Sequence, residues 1–501
     1  MSATGNGRHW PPATTNDAGV PVASDEFALT AGPDGPVLLQ DAYLNEKLAH
    51  FVRERVPDRV YHVKGSGAFG YFEVTADVTA WTKAAFLGPV GKRTPVLVRF
   101  STVAGEEGYA DTDRDVRGVA MKFYTEEGNY DLVGNDTPVF FVRDAMKFPD
   151  FIHSQERMPD TGLRSNNMQW DFWTLSPESS HQVMTLMSDR GTPRTYRHMH
   201  AFSSSTYLWE NAAGQKVWVK YHFKTEQGIE NFTDAEAKAM RGEDPDYHRR
   251  DLRAAIDRKD YPSWRLEMQI MPFEDAAGYR FNPFDITKVW PHKDYPTIPI
   301  GRLVLDRNPE NFFAQITQAG FEVANFVPGI GPSPDKMVLG RMFAYGDSNR
   351  YRTGPNYEQL PVNRPLSEVH NYNKDGPMRY RHNGSQPVYA PNSYGGPKAD
   401  PQRYRDASWP VEAGEIMRTA YVAHKDDNDF IQPGALYRDV MTPTDRDHLV
   451  TNIAAHLGDG VESFIQRRAV DEYLAKVDPE LAARVSRALG IAQQQPAGTR
   501  A

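Results

Sequence analysis

Three stretches of this 501-residue chain combine residue types that can carry acid–base or ligand chemistry, and the first is SPDKMVLGRMFAYGDSNRY from residue 333. We predict a helix with Ser333 as its N-cap and Pro334 in its first turn. Helical spacing then places Met337, Arg341 and Tyr345 four residues apart on one face. A guanidinium beside a phenol stabilises the phenolate and lowers the tyrosine pKa. For one such pair taken alone, an ordinary surface contact between Tyr and Arg is the more frequent explanation.

The other two stretches place a histidine and an asparagine among glycines and aromatic residues. His62 lies between a basic segment and a glycine-rich turn, GSGAFG, that leads into a predicted strand. Asn135 lies in the turn GNDTP, ahead of Phe140 and Phe148. Each of these residues also has a purely structural explanation. His62 could be a hydrogen-bonded histidine at the start of a strand, Asn135 could occupy a left-handed turn position, and the two phenylalanines could belong to an aromatic core. The glycine run lacks the strand-before, helix-after context of a dinucleotide-binding fingerprint.

Composition excludes several classes of protein. The chain has no cysteine, which excludes a disulfide framework, a zinc–thiolate site, an iron–sulfur cluster and a haem thiolate. Its net charge of -9 argues against binding to nucleic acid or to an anionic membrane. The sequence has no apolar run of about 18 residues, so we expect no transmembrane helix, and its N-terminus has no apolar signal region. We therefore predict a cytoplasmic protein.

The elements that must position these residues are mostly strands. Short β-branched and aromatic segments such as PVLVRFSTV and KVWVKYHFKT alternate with turns through residues 65–306. This many short strands favour a barrel or a sandwich. Helical patterns precede and interrupt the strands at 43–56 and 233–258.

The last third of the chain differs in character. Residues 351–410 are rich in Pro, Tyr, Asn and Gly without periodicity, which is typical of a functional segment or one that wraps a surface. Helical periodicity returns from Asp445. Gly458 and Gly490 stand at predicted C-caps, and Pro479 stands at a predicted first helical position.

In this order, the three stretches closely resemble the signatures of the monofunctional haem catalases. The segment around His62 resembles the distal-histidine signature of that family, and RMFAYGD fits its proximal pattern R-x-F-x-Y-x-D. The resemblance continues through RFSTVAGE, DVRGVAMKFYTEEGNYDLVGNDTPVFF and FNPFDITKVWPHKDYP, and it covers residues 25–490. In length the chain resembles the small-subunit class, which carries haem b and lacks a flavodoxin-like C-terminal domain.

The resemblance implies an α+β fold, the catalase fold. An N-terminal arm with the first helix (1–60) precedes a large antiparallel β-barrel with helical insertions and the distal haem pocket (61–307). A Pro-rich wrapping segment with the proximal helix (308–423) and a C-terminal helical domain (424–501) follow. The resemblance also implies a homotetramer with interlocked N-terminal arms.

By resemblance, Tyr345 is the metal ligand and binds haem iron as a phenolate that Arg341 keeps ionised. His62 is the catalytic acid–base group, Asn135 orients the peroxide and Ser101 bonds to His62. The implied reaction is dismutation of hydrogen peroxide to water and dioxygen through a ferryl porphyrin-radical intermediate, a protection against oxidative stress. The other implied haem contacts are Arg59, Arg99 and Arg352 at the propionates, with Phe140, Phe148 and Met337 around the ring; Val103 and Asp115 match channel positions.

Six further residues match positions that hold NADPH in those catalases that bind it. Arg190 and Lys224 would supply the positive charge that a phosphate requires. The alternative explanation is that these six are ordinary surface residues that bind no dinucleotide. The six are His181, Ser188, Arg190, Lys224, Trp290 and His292.

The sequence departs from the family pattern at three positions near this site. Ser205 stands where histidine is usual, in a relay behind Arg341 that includes Asp335; Tyr61 stands where valine is usual. Asn349 replaces a His or Gln that often lies near a propionate. Tyr61 keeps open an alternative function, that of a catalase-like haem peroxidase acting on organic hydroperoxides. Ser205 keeps open a haem-binding or dinucleotide-storage protein that has lost turnover.

Overall fold

The computed structural model describes residues 12–382, 384–404 and 428–491. The predicted boundary at 423/424 and residues 492–501 of the predicted C-terminal domain lie outside the described residues, as does the start of the predicted arm. The chain forms two compact units, one ending at Asp58 and one beginning at Arg59. In the first unit, the helix α1 is Ala42–Phe51, and the Asp41 carboxylate caps it by accepting from the Leu44 N–H at 2.9 Å.

Ten strands in the described part of the second unit form one antiparallel sheet. The order β1-β2-β3-β4-β5-β7-β8-β9 closes into an eight-stranded barrel, because β9 pairs with β1 and β7 pairs with β8. The short strands β6 and β10 extend the sheet beside the first half of β7. The strands are β1 (Gly65–Val74), β2 (Arg93–Thr102), β3 (Arg117–Thr125), β4 (Gly128–Asn135), β5 (Ala201–Phe202), β6 (Tyr207–Glu210), β7 (Lys216–Thr225), β8 (Ser263–Pro272), β9 (Thr297–Arg307) and β10 (Ile330–Pro332).

Alternation along the strands divides the barrel residues between an apolar interior and an outer face. Val98 and Phe100 of β2 belong to the hydrophobic cluster that fills the barrel, together with one face of each neighbouring strand. Arg99 and Ser101 lie between and beyond them in the sequence, so period two places them on the opposite face. The polar residues of the predicted site therefore lie on the outside of the barrel.

Helices cover the barrel and form the C-terminal region. They are α2 (Phe148–His153), α3 (Asn166–Leu175), α4 (Ser180–Met187), α5 (Asp234–Glu243), α6 (Tyr247–Asp257), α7 (Asp275–Gly278), α8 (Lys336–Thr353), α9 (Ile431–Ala435), α10 (Pro443–Gly458), α11 (Ser463–Arg468), α12 (Ala475–Val477) and α13 (Pro479–Leu489). The pattern at 233–258 is thus two helices, α5 and α6. No helix in the described ranges is both long and apolar enough to cross a membrane.

The C-terminal helices share one hydrophobic cluster with α3 and α4, which includes Trp170 and Trp173. Pro479 is the first residue of α13, and Gly490 caps its end with a left-handed φ of 70°, as predicted. The prediction for Gly458 is wrong: this glycine is the last residue of α10, and Asp459 follows as the C-cap.

The start of α8 also differs from the prediction. Asp335 is its N-cap and accepts from the Met337 N–H at 2.8 Å. Ser333 instead donates its hydroxyl to the Thr206 carbonyl at 2.6 Å, which ties the segment ahead of α8 to the barrel. The tertiary contact engages the serine hydroxyl, so the helix begins two residues later.

Candidate functional site

A cavity of about 410 Å³ lies between the outer face of the barrel and α8. His62 and Ser101 line its barrel side, and Tyr345 lines it from α8. A smaller cavity shares His62 and Tyr345 with it and adds Asn135 and Met337. Residues nearly 300 positions apart in the sequence therefore meet at one site.

The backbone of His62 is held in an unusual conformation. Its φ of 61° lies in the left-handed region, which is uncommon for a residue other than glycine and clusters at functional sites. The His62 N–H donates to the Val103 carbonyl at 3.0 Å. Val103 is fixed in turn by Asp115, whose carboxylate accepts from the N–H groups of Val103 and Ala104 at 2.8 Å. Asp115 thus stabilises the loop that aims His62.

Hydrogen bonds also determine which ring nitrogen of His62 carries the proton. Nδ1 lies 3.0 Å from the Thr102 carbonyl oxygen and 3.0 Å from Ser101 Oγ. A carbonyl oxygen only accepts, so Nδ1 carries the hydrogen and Nε2 is left as the basic atom. Burial and then the Arg99 charge lower the pKa of His62 to about 3. The ring is therefore a neutral base over most of the pH range.

Gly118 is a part of the site that sequence reasoning missed. It pairs with Ser101 across β2 and β3, directly under the imidazole of His62. A Cβ at this position would lie 2.4 Å from His62 Cε1 and 2.6 Å from Nδ1, so only glycine leaves room for the ring. A glycine inside a strand pattern is the available signal, because it often marks a close approach.

Tyr345 and Arg341 lie one turn apart on α8, as the helical spacing predicts. Arg341 Nη2 donates to the Tyr345 hydroxyl oxygen at 3.2 Å and to the Val133 carbonyl on β4 at 2.7 Å. Burial lowers the pKa of Arg341, but the neighbouring phenols of Tyr345 and Tyr207 outweigh burial and raise it overall. Arg341 is therefore a permanent positive charge beside the Tyr345 oxygen.

Aromatic rings form one wall of the site. Tyr61 lies edge-on to His62 at 5.2 Å and to Phe148 at 5.0 Å between ring centroids. Phe140 stacks against Phe148 at 6.0 Å. Burial, followed by the nearby Tyr345 phenol, raises the pKa of Tyr61 well above its usual range. Tyr61 is thus a neutral phenol in this wall.

Three arginines, Arg59, Arg99 and Arg352, line the larger cavity. Each is held by at least one backbone carbonyl of a neighbouring segment. Burial lowers the pKa of Arg99 to about 10, and the Arg352 charge adds to this lowering. Within the described ranges, the buried Arg99 Nε has no hydrogen-bond partner. Arg99 and Arg352 are buried like charges, and buried charges in proteins are usually paired with an opposite charge.

These residues fit a haem. The arginines suit its propionates, because guanidinium groups form charge-assisted bonds to carboxylates. The aromatic wall suits the porphyrin ring, and the Tyr345 oxygen beside Arg341 would supply an oxygen ligand for the iron. Two observations support this fit: the types of side chain that line the cavity, and the buried Arg99 Nε, which has no hydrogen-bond partner in the described ranges.

The residues predicted to hold NADPH fall into two groups. Arg190, Lys224 and His292 belong to a basic cluster with His200. Burial, followed by the charges of Lys224 and Arg190, lowers the pKa of His200 to about 3. Ser188 donates its hydroxyl to the Thr185 carbonyl and accepts from the Arg190 N–H. His181 and Trp290 are instead almost completely buried, at 7% and 1% exposure.

Two of the departures from the family pattern are buried beside the site. Asn349 donates to the Phe321 carbonyl at 2.7 Å, a backbone contact that fixes its amide. Ser205 is completely buried next to the N-terminus of α8. Neither departure displaces His62, Asn135, Ser101 or Tyr345 from the lining of the two cavities.

Comparisons with known proteins show which family the chain resembles over nearly its whole length. The Catalase family model matches residues 15–396, and the Catalase-related immune-responsive model matches residues 423–489. The chain is 56% identical to the catalase of Methanosarcina barkeri, over 95% of this chain and 94% of that one. It is 54% identical to the bromoperoxidase-catalase of Streptomyces venezuelae, over 95% and 98%. A solved bacterial catalase superposes with a TM-score of 0.90 at 51% identity, over 96% and 97%.

Proposed function

Because this chain belongs to the catalase family and is a haem catalase that dismutates hydrogen peroxide to water and dioxygen, we propose that the cavity between the barrel and α8 is its active site. The observation that carries the proposal is the meeting of His62, Tyr345 and three arginines around one cavity. Bound haem, here haem b, supplies the redox chemistry of the reaction.

His62 performs the proton transfer. Its unprotonated Nε2 takes a proton from one peroxide oxygen and returns it to the other, which makes that oxygen a better leaving group. The low pKa of His62 keeps Nε2 available, because the ring is not already protonated. The Nδ1 contacts to Thr102 and Ser101 hold the ring in place during the transfer. Asn135, in the same lining, orients the peroxide by hydrogen bonding.

Tyr345 would serve as the iron ligand, and Arg341 would place a positive charge beside its oxygen. The hydrogen bond from Arg341 Nη2 places positive charge on the phenol oxygen. Arg59, Arg99 and Arg352 bind the propionates, while Phe140, Phe148 and Met337 pack around the ring.

The proposal extends to a second ligand, NADPH. In the basic cluster, Arg190 and Lys224 carry the positive charge that binds phosphate, and His200 beside them is neutral. Ser188 accepts from the Arg190 N–H, and Lys224 lies near His292. His181 and Trp290, the other two residues of the resemblance, are buried outside this cluster. A homotetramer and the four domain boundaries stay predictions from the resemblance, and a cytoplasmic location stays a prediction from the sequence.

The test uses purified holoprotein. We expect oxygen release from hydrogen peroxide together with the absorption spectrum of ferric haem. His62→Gln should retain haem while oxygen release falls at least about 100-fold, the usual contribution of an acid–base group. Tyr345→Phe should change or abolish the haem spectrum.

His456 provides the matched control. Burial also lowers its pKa, to about 4, but it accepts a hydrogen bond from Trp170 of α3 and lines neither of the two cavities of the site. His456→Gln should leave oxygen release nearly unchanged. A haem spectrum without oxygen release in the wild-type protein would overturn the proposal.

A further inference from the structure

Four charged side chains form a cluster where the segment ahead of α9 meets the residues that cover the barrel. Arg143 and Lys288 supply the positive charges, and Asp285 and Asp429 supply the negative ones. Asp285 Oδ2 lies 3.3 Å from Arg143 Nε and 2.9 Å from Lys288 Nζ. Asp429 Oδ1 contacts the same two cations, Arg143 through Nη2 and Lys288 through Nζ at 3.2 Å. Each carboxylate therefore bridges both cations.

The cluster is largely removed from water. The side chains of Asp285 and Lys288 are 1% and 6% exposed. Burial raises the pKa of Asp285, but the charges of Lys288 and Arg143 outweigh burial and hold this pKa below its usual range. Removal of one partner from a buried ion pair is strongly unfavourable, because it leaves a buried charge uncompensated. The positions of the two cations therefore depend on both carboxylates.

Asp429 belongs to the C-terminal region and lies two residues ahead of α9. Its backbone carbonyl accepts from the Ser180 hydroxyl of α4 at 2.7 Å. Within α9, Gln432 accepts from the Val289 N–H at 2.9 Å and donates to the Val289 carbonyl at 3.0 Å. The start of the C-terminal region thus holds the segment 285–289 at two places, through the ion cluster and through this amide.

The segment 285–289 carries part of the wall of the candidate active site. Ile286 follows Asp285 directly and lines the smaller cavity together with Phe140. The Ile286 carbonyl accepts from the Phe140 N–H at 3.1 Å. Phe140 lies three residues before Arg143, whose side chain is held in the cluster. Both wall residues are therefore close along the backbone to side chains that contact Asp429 or its two cations.

We propose that Asp429 is a positioning residue: through its two cations it fixes the wall formed by Ile286 and Phe140, and so limits the size of the molecule that enters the smaller cavity. Protein interiors are close-packed and transmit strain, so a displaced cluster displaces the wall. A fixed apolar wall favours hydrogen peroxide over larger hydroperoxides by steric exclusion. The inference rests on the proposed function, which places the reaction beside His62 in this cavity.

Ligand binding to the ferric haem of the purified holoenzyme tests the wall without turnover. Cyanide is a small probe and imidazole is a larger one, and both are titrated through the haem absorption. Asp429→Asn should strengthen imidazole binding relative to cyanide by about two- to thirtyfold, the range for residues that act through a packed network. Asp429→Glu keeps the negative charge, so its ratio of the two dissociation constants should stay near the wild-type ratio.

A double variant tests whether charge balance is the cause. Asp429→Asn leaves two cations on the Asp285 carboxylate, whereas Asp429→Asn with Lys288→Gln leaves Arg143 paired with Asp285. If the unbalanced cation displaces the wall, the two substitutions are not additive, and the double variant should return toward the wild-type ratio.

Asp171→Asn is the control. Asp171 of α3 pairs with Arg468 of α11, so it also ties a covering helix to the C-terminal region, but it lines neither cavity of the site. The ratio of dissociation constants should not change in this variant, and a merely structural role of Asp429 would change the two variants alike.

A wild-type ratio in a folded Asp429→Asn holoenzyme would overturn the proposal, as would an equal change in Asp171→Asn. If Asp429→Asn fails to fold, Lys288→Gln alone removes one contact of Asp429, and an unchanged ratio in that variant would overturn the proposal instead. Failure of the proposed function gives a different result, because the wild-type holoprotein itself would then release no oxygen.

Discussion

Replacing Gly118 by alanine places a methyl group against the imidazole of His62. The new Cβ would lie 2.4 Å from Cε1 and 2.6 Å from Nδ1 of the ring, and 3.0 Å from Ser101 Oγ. Carbon atoms in contact normally stay about 3.5–4.0 Å apart. The His62 ring must therefore move by about 1 Å, because its neighbour Gly118 is part of the barrel backbone.

The displacement of the His62 ring should lower the rate of the reaction. The two Nδ1 contacts, each 3.0 Å long, determine where Nε2 lies, so a shift of the ring breaks or lengthens them. A misplacement of about 1 Å can cost about 100-fold in rate. That loss corresponds to about 2.7 kcal/mol in the activation free energy. The overpacked ring should also lower the free energy of unfolding by about 1–3 kcal/mol.

Oxygen evolution by Gly118→Ala is the assay, with haem content and thermal unfolding measured on the same preparation. We expect kcat to fall about 100-fold while the haem is retained, because Tyr345 and the arginines are untouched. Gly331→Ala is the control: its added Cβ would meet only Leu208 side-chain atoms at 3.8 and 3.9 Å, an ordinary contact.

A Gly118→Ala enzyme with wild-type kcat would refute the reasoning, because His62 would then work equally well from a displaced position. Loss of haem in parallel with loss of activity would also contradict it, since the methyl group would have acted on the cofactor and not on the proton transfer.

Three further predictions follow from the same contacts. The pKa of His62 is about 3 in the folded protein, below the ordinary value near 6.5. The unfolded chain therefore binds a proton at His62 before the folded protein does, so the free energy of unfolding is unaffected by this group above pH 6.5 and declines as the pH falls toward 3. Between pH 7 and pH 5, denaturant unfolding should show a larger decrease in the free energy of unfolding for wild type than for His62→Gln. Lys224→Gln should weaken NADPH binding at least about tenfold in calorimetry, since it removes a charge from the basic cluster, whereas Lys476→Gln should not. Tyr61→Val should raise the turnover of organic hydroperoxides relative to hydrogen peroxide, because it shortens a side chain between His62 and Phe148; an unchanged ratio would show that Tyr61 does not restrict access.

The C-terminal helices and the face of α8 were predictable because they depend on local rules. Arg341 and Tyr345 meet because residues four apart share a helix face, and Gly490 ends α13 because glycine tolerates a left-handed φ. The start of α8 was not predictable in this way. Ser333 has a better partner in the Thr206 carbonyl, which is distant in the sequence.

The sequence by itself determined which residues are available for the chemistry: a histidine in a family-like signature, a tyrosine and an arginine on one helix face, and no cysteine. Only the tertiary structure decided how they meet. Barrel closure and strand register place Gly118 under His62 and put Arg99 on the outer face of the barrel. These are long-range pairings, and a shift of one residue in register would exchange the two faces, so no local pattern specifies them.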